Sequence, residues 1–390
     1  MKKSYDFSEH INRRNTSSIK WDETARVFGS SDVLPMWVAD MDFKAPQEVT
    51  EAILNKAQHG IYGYTAISPS VHKAVTNWFQ QQHGWGIKQE WLTYISGVVP
   101  ALSATIQTFT KPDDKVIVFS PVYYPFYDMV TYNDRKLVTS PMEYRKGRYH
   151  MNFQDFEAKL DDDVKLLLLC NPHNPGGTVW TREELKQLGE ICVKHNVIIV
   201  SDDIHADLVF KNHTYYPIAS LSEDIAMQTV TCIAPTKTFN LAGLQAAAMV
   251  TSNDSFREKL DFFMKKQGHF LLNMLGVSAM EAAYRHGKQW LGEVLQYIDD
   301  NMNYAVEYIH KEIPGIDASK PEGTYLLWID CRKLGLGEEE LKRLLLHKGK
   351  LALESGSKFG KEANGFVRMN VACTKSTLQE GLLRLKTALS

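Results

Sequence analysis

Three short runs of apolar residues stand out in the middle of the chain: KVIVF (Lys115–Phe119), KLLLLC (Lys165–Cys170) and VIIVS (Val197–Ser201). None alternates apolar with polar, as a strand with one wet face would. Each is strand-length and bounded by turn or acidic residues: KPDD before the first, DDD before and NPHNPGG after the second, DD after the third. Between the second and third lies TREELKQLGEICVKH (Thr181–His195), with a Thr N-cap, a Glu three residues on and apolar residues at helical spacing. QTVTCIA (Gln228–Ala234) and LQAAAMVTS (Leu244–Ser252) read as further strands. Strands buried on both faces and separated by helices predict an α/β fold built on a mainly parallel sheet.

The pattern changes towards the C-terminus. One long helix is expected from about Ser278 to His310. GTYLLWIDC (Gly323–Cys331), the helix-like GEEELKRLLLHKG (Gly337–Gly349) and GFVRMNVAC (Gly365–Cys373) then point to a small α+β domain. The first ~45 residues show little regular pattern and are expected to pack against that domain. The predicted division is a large domain over 46–285 and a small one made of 1–45 and 286–390.

Composition narrows the function classes. The chain has 390 residues, 44 basic and 46 acidic, for a net charge of −2, which gives no electrostatic case for a nucleic-acid or membrane-surface partner. No apolar run is long enough to span a bilayer, and the two lysines at the start precede no apolar stretch of the kind a secretory signal carries. The five cysteines are far apart, without a CxxC pair, so no zinc spacing is present. Cys170, Cys192 and Cys232 sit among aliphatic residues and read as small core hydrophobes. An odd cysteine count fits a reducing compartment, and the cytoplasm is expected.

The candidate chemistry lies in polar clusters at strand ends, where open α/β sheets bind ligands. Lys237 stands in TCIAPTKTFNLAGLQAAAMV (Thr231–Val250), among small and apolar residues. It reads either as a lysine reaching for water or as an amine that forms a Schiff base. Asp202, in SDDIHADL (Ser201–Leu208), is an N-cap or loop carboxylate, or the partner of a pyridine nitrogen. Asp202, Asp203, His205 and Asp207 crowd together as metal ligands do, but no second cluster accompanies them, so no metal is expected. NPHNPGG (Asn171–Gly177) is a stiff turn that would hold Asn174 as an oriented donor. Gly97, Val98 and Val99 open an apolar helical stretch whose first backbone N–H groups suit a phosphate. Neither a P-loop nor G-x-G-x-x-G is present, which argues against a nucleotide-binding protein.

In order and spacing, Asn174, Asp202 and Lys237 resemble the fold-type I pyridoxal 5′-phosphate enzymes, the class I/II aminotransferase superfamily with the aspartate aminotransferase fold. The likeness runs over essentially the whole chain. More narrowly, LPMWVADMDF, GIYGYT, NPHNPGG, SDDIHADL, TKTFNLAGL and GFVRMNVACT resemble the MalY/PatB-type cystathionine β-lyases, or cysteine-S-conjugate β-lyases.

The resemblance implies that Lys237 carries the cofactor as a Schiff base and that Asp202 pairs with its ring nitrogen. Asn174 would bond the phenolate oxygen, with His205 aimed at the same atom. Tyr123 would stack on the ring, and Tyr124 would face the substrate. The phosphate would be held by Gly97, Val98, Val99 and Thr236, and by Tyr64 from a neighbouring subunit, implying a homodimer with shared sites. Arg368 would clamp the substrate carboxylate, helped by the backbone at Val38 and Ala39. Eight residues after Lys237, where many aminotransferases have a phosphate-binding arginine, this chain has Gln245. The implied reaction is α,β-elimination on L-cystathionine or a related S-conjugate, giving pyruvate, ammonia and a thiol. Transamination is the alternative with the same cofactor. A regulatory protein that keeps the fold without turnover is disfavoured, because no DNA-binding segment is appended.

Overall fold

The computed structural model describes residues 5–269 and 271–390. Its main sheet has seven strands: β1 (Leu92–Ile95), β2 (Lys115–Ser120), β3 (Lys136–Pro141), β4 (Val164–Cys170), β5 (Ile198–Asp202), β6 (Thr229–Ile233) and β7 (Ala247–Val250). They lie in the order β1-β7-β6-β5-β4-β2-β3. Only β7 runs against its neighbours.

The unbroken apolar runs have the cause expected of them. Val116, Val118, Leu166, Leu168, Val200 and Val230 pack on one face against Ala101, Leu102 and Ala104 of helix α1 (Val98–Phe109). The intervening Ile117, Phe119, Leu167, Leu169 and Ile199 pack on the other face against Leu185 and Leu188 of helix α2 (Arg182–Lys194). Each such side chain contributes about 1.5–3 kcal/mol by leaving water. Helix α2 begins with the expected capping box, Thr181 and Glu184 each accepting the other's backbone N–H.

A second sheet is antiparallel throughout: β8 (Asp317–Ala318), β9 (Leu326–Asp330), β10 (Glu354–Ser355) and β11 (Phe366–Asn370), in the order β8-β9-β11-β10. The N-terminal segment packs on this part of the chain, as expected: Leu34–Pro35 pairs in parallel with Leu351–Ala352.

The single long helix expected from Ser278 to His310 is two helices, α3 (Met274–His286) and α4 (Lys288–Glu312). They meet at Gly287, where an added Cβ would lie 2.2 Å from Phe239 Cε1 and 2.6 Å from the Ala283 carbonyl oxygen. Close packing against the Lys237 segment leaves room for nothing larger than glycine at this junction, a long-range contact that helical periodicity does not report. Among the described residues no helix is long and apolar enough to cross a membrane.

Candidate functional site

Five segments leave the carboxyl ends of parallel strands on the same edge of the main sheet. After β1 comes the start of α1; after β2, Tyr123 and Tyr124; after β4, the Asn171–Gly177 turn. Asp202 ends β5 itself, and Lys237 follows β6. This is where an open α/β sheet offers a binding crevice.

A strap made of residues 36–43 joins the Lys237 segment to the second sheet. Lys237 Nζ donates to the Ala39 carbonyl at 2.6 Å, and the Tyr325 hydroxyl donates to the same oxygen at 2.9 Å. Asn370 Nδ2 donates to Val38 O at 2.7 Å and Asp40 O at 2.5 Å. Asn240 accepts from Met41 N–H at 3.0 Å and donates to Met41 O and Phe43 O, each at 2.9 Å. Within the strap, Asp40 and Asp42 take the charges of Arg13 and of Lys20, which is 1% exposed.

Burial tunes the charged groups. The Lys237 amine is lowered to about 8, chiefly by desolvation, with Asp40 opposing and Arg368 assisting. The Asp202 carboxyl is pushed up to about 7 by burial, although its Oδ1 accepts the Ile204 N–H at 3.1 Å. Burial holds the His205 ring neutral, at about 3, and its Nδ1 has no partner. Arg368 is 2% exposed. Its Nη1 donates to Asn174 Oδ1 at 2.8 Å and its Nη2 to Trp37 O at 2.9 Å, while Nε is buried without a partner.

The turn holding Asn174 depends on two close-packed glycines, Gly176 against Tyr149 and Gly177. Gly177 adopts φ +66, and a Cβ there would lie 2.3 Å from Pro321 Cβ and 2.8 Å from the Gly323 oxygen. That approach brings the turn against the chain entering β9. His173 locks the other side through Nε2, 2.8 Å from Pro121 O.

Lys237, Asp202, His205, Asn174, Arg368, Val38 and Ala39 are thus connected through shared contacts and charges. The rings of Tyr123 and Tyr124 lie 5.1 Å apart, and burial raises both phenols. Gly97 is the N-cap of α1, Val98 is buried and Val99 half-buried, and no side chain caps those N–H groups. Thr236 is buried beside Lys237. Tyr64 stands apart, 99% exposed. Gln245 is also exposed, ending a short turn in a left-handed conformation.

The crowded acidic cluster comes apart because neighbouring residues point in different directions. Asp203 accepts from Ser201 Oγ at 2.5 Å and from the Tyr215 hydroxyl. Asp207 accepts from Trp78 Nε1 at 2.9 Å and Thr238 Oγ1 at 2.8 Å, with His83 Nε2 at 2.8 Å. Among the described residues, no three metal-capable side chains converge.

Asn240, Tyr325 and Asn370 were not singled out from sequence, and Asp207 was weighed there only as a member of the crowded acidic cluster. Asn370 had a usable signal, lying two residues after Arg368 on the same face of a strand. The others act through contacts distant along the chain.

The family model for aminotransferase class I and II matches residues 31–385. The cystathionine β-lyase PatB of Bacillus subtilis (strain 168) is 47% identical over 386 residues, covering 99% of this chain and all of that protein. A pyridoxal-phosphate-bound crystal structure from Clostridium difficile 630 is 45% identical, with a TM-score of 0.98 over 99% of this chain and 100% of that one. Cystalysin from Treponema denticola, which contains pyridoxal 5′-phosphate, is 35% identical, with a TM-score of 0.96 over 99% of both chains.

Proposed function

The chain belongs to the aminotransferase class I and II family, and on that premise we propose that it is a pyridoxal-phosphate-dependent carbon–sulfur β-lyase. It acts on L-cystathionine or related cysteine S-conjugates by α,β-elimination, giving pyruvate, ammonia and a thiol. The observation that carries the chemistry is a half-buried lysine, fixed to the Ala39 carbonyl and lowered to about 8, in the field of a buried aspartate raised to about 7. The activity of the 47%-identical relative sets the reaction class.

The residues fit pyridoxal 5′-phosphate. His205 Nδ1 and Arg368 Nε are buried polar atoms without partners, as expected of groups that meet a ligand. Asp202 needs a cation to ionise fully at neutral pH, and a protonated ring nitrogen is one. The uncapped N–H groups at the start of the 12-residue α1 suit a phosphate. Lys237 would hold the aldehyde carbon, Asp202 the ring nitrogen, Asn174 and His205 the phenolate oxygen, Tyr123 the ring face, and Thr236 with residues 97–99 the phosphate.

When bound, the cofactor supplies an electron sink conjugated to the substrate α-carbon. Arg368 grips the substrate carboxylate through its Nε edge, and the strap carbonyls at Val38 and Ala39 border the same space. Lys237, freed as a neutral amine once the substrate's amino group has replaced it, would take the α-proton. The Cα–H electron pair drives scission of Cβ–S, and sulfur leaves with its electrons as thiolate, which Lys237 reprotonates. The 2-aminoacrylate set free takes up water and yields pyruvate and ammonia. Tyr124, beside Tyr123, borders the sulfur side.

Tyr64 cannot act in its own chain's pocket while 99% exposed. Leu54, Ile61 and Tyr62, near it in the chain, are large apolar residues that are exposed as well, which favours a homodimer in which Tyr64 reaches a neighbour's phosphate. Residues 46–285 would carry the cofactor, and 1–45 with 286–390 the carboxylate clamp. The five cysteines are buried thiols, in keeping with the cytoplasm.

The test is pyruvate release from L-cystathionine without an added keto acid. Release supports elimination; turnover that needs a keto acid makes the enzyme an aminotransferase.

A further inference from the structure

Glu354 and Lys358 have no part in the chemistry above, yet both border it. Glu354 is 3% exposed and lies directly across from Arg368 in the β10–β11 register. Paired residues of an antiparallel ladder project from the same face, so this carboxylate stands beside the guanidinium. Its Oε1 also accepts from Lys358 Nζ at 2.5 Å. The Lys358 side chain is 45% exposed, with its ammonium 6.0 Å from the centre of the Tyr124 ring.

This arrangement is built in. The Phe359 carbonyl accepts the Val122 N–H at 2.8 Å and the Tyr127 hydroxyl at 2.5 Å. Those two residues bracket Tyr123 and Tyr124, so the segment carrying Lys358 is fastened to the tyrosine loop. A plain (i, i+4) ion pair would explain a counter-charge for a buried carboxylate. Glu354 also lies in the field of Arg368 across the ladder. The mouth therefore holds two cations for one carboxylate, and the second is the one open to solvent.

Resting on the lyase reading, we propose that Lys358 is a specificity residue that binds an anionic group at the far end of the leaving thiol. The preferred substrates are then cysteine S-conjugates whose thiol portion carries a carboxylate, as L-cystathionine does. Neutral S-alkyl cysteines would be poorer substrates. The Tyr124 ring forms the floor between this subsite and the site of bond cleavage.

The test compares kcat/KM of the cofactor-loaded enzyme on L-cystathionine and on S-methyl-L-cysteine, for wild type, Lys358→Met and Lys358→Arg. Lys358→Met should lose about tenfold on L-cystathionine, mostly in KM, the lower end for a charged contact because this lysine is half in water. S-methyl-L-cysteine should change by less than about twofold, and Lys358→Arg should keep most of the preference. Equal losses on both substrates would overturn the proposal and leave Lys358 as a counter-ion for Glu354. No loss on either would also overturn it. A wild-type enzyme that releases pyruvate from neither substrate would sink the lyase reading itself, a result that the variants cannot mimic.

Discussion

Arg368 donates a 2.8 Å hydrogen bond to the side-chain oxygen of Asn174, joining a strand of the small sheet to a turn at the edge of the large one. With its oxygen occupied, Asn174 is left to present its NH2 group, which orients it as a donor. One guanidinium arm thus orients Asn174, and the buried, unpartnered Nε edge is left for the carboxylate clamp proposed above. Arg368→Lys removes both functions, because an ammonium cannot reproduce the fork. The expected loss in kcat/KM is about a hundredfold or more, the usual cost of breaking a buried charge contact. Steady-state kinetics with the cofactor absorbance monitored would check it: KM should rise with the cofactor still bound.

Capture of the cofactor by the apoprotein should depend on pH through Lys237. Only the neutral amine attacks an aldehyde, and its share grows as pH rises through the pKa. With the amine lowered to about 8, the rate of reconstitution should climb between pH 7 and 9 and flatten above. An unperturbed lysine would keep climbing to about 10.4. Stopped-flow absorbance during addition of pyridoxal phosphate separates the two profiles.

Asp202→Asn keeps a group of the same shape but cannot balance a ring cation. Cofactor binding should persist, and kcat should fall by about a hundredfold or more, as when an oriented electrostatic partner is lost. Activity within a few-fold of wild type would deny Asp202 the role given to it.

Asp207 is a structural hub rather than a ligand. Its removal in Asp207→Ala orphans the Trp78 indole N–H and the Thr238 hydroxyl, both buried. At about 1–3 kcal/mol for each stranded group, the variant should lose about 3 kcal/mol of stability. Denaturant titration should show a lower midpoint with an unchanged slope.

Much of this architecture was legible in the sequence because it is local. Unbroken runs such as Lys165–Cys170 mark strands covered on both sides, and the capping residues Thr181 and Glu184 mark the start of α2. The motifs around Asn174, Asp202 and Lys237 were legible for another reason: each lies at the end of a strand that could itself be read. What escaped depends on distant contacts. The junction at Gly287, packed closely against Phe239, falls in a segment whose helical periodicity runs straight through it. Asn240 and Tyr325 hold the strap through partners some 200 residues or more away. The separate roles of Asp203 and Asp207 could not be read, because spacing along the chain does not reveal which way side chains turn.

The most direct test follows pyruvate and thiol together from one sample of cofactor-loaded enzyme given L-cystathionine and no keto acid, beside the Lys237→Ala variant. Wild type should release the two in equal amounts, and the variant neither, with its ~420 nm band gone. No pyruvate from wild type, or pyruvate undiminished in Lys237→Ala, would contradict the account.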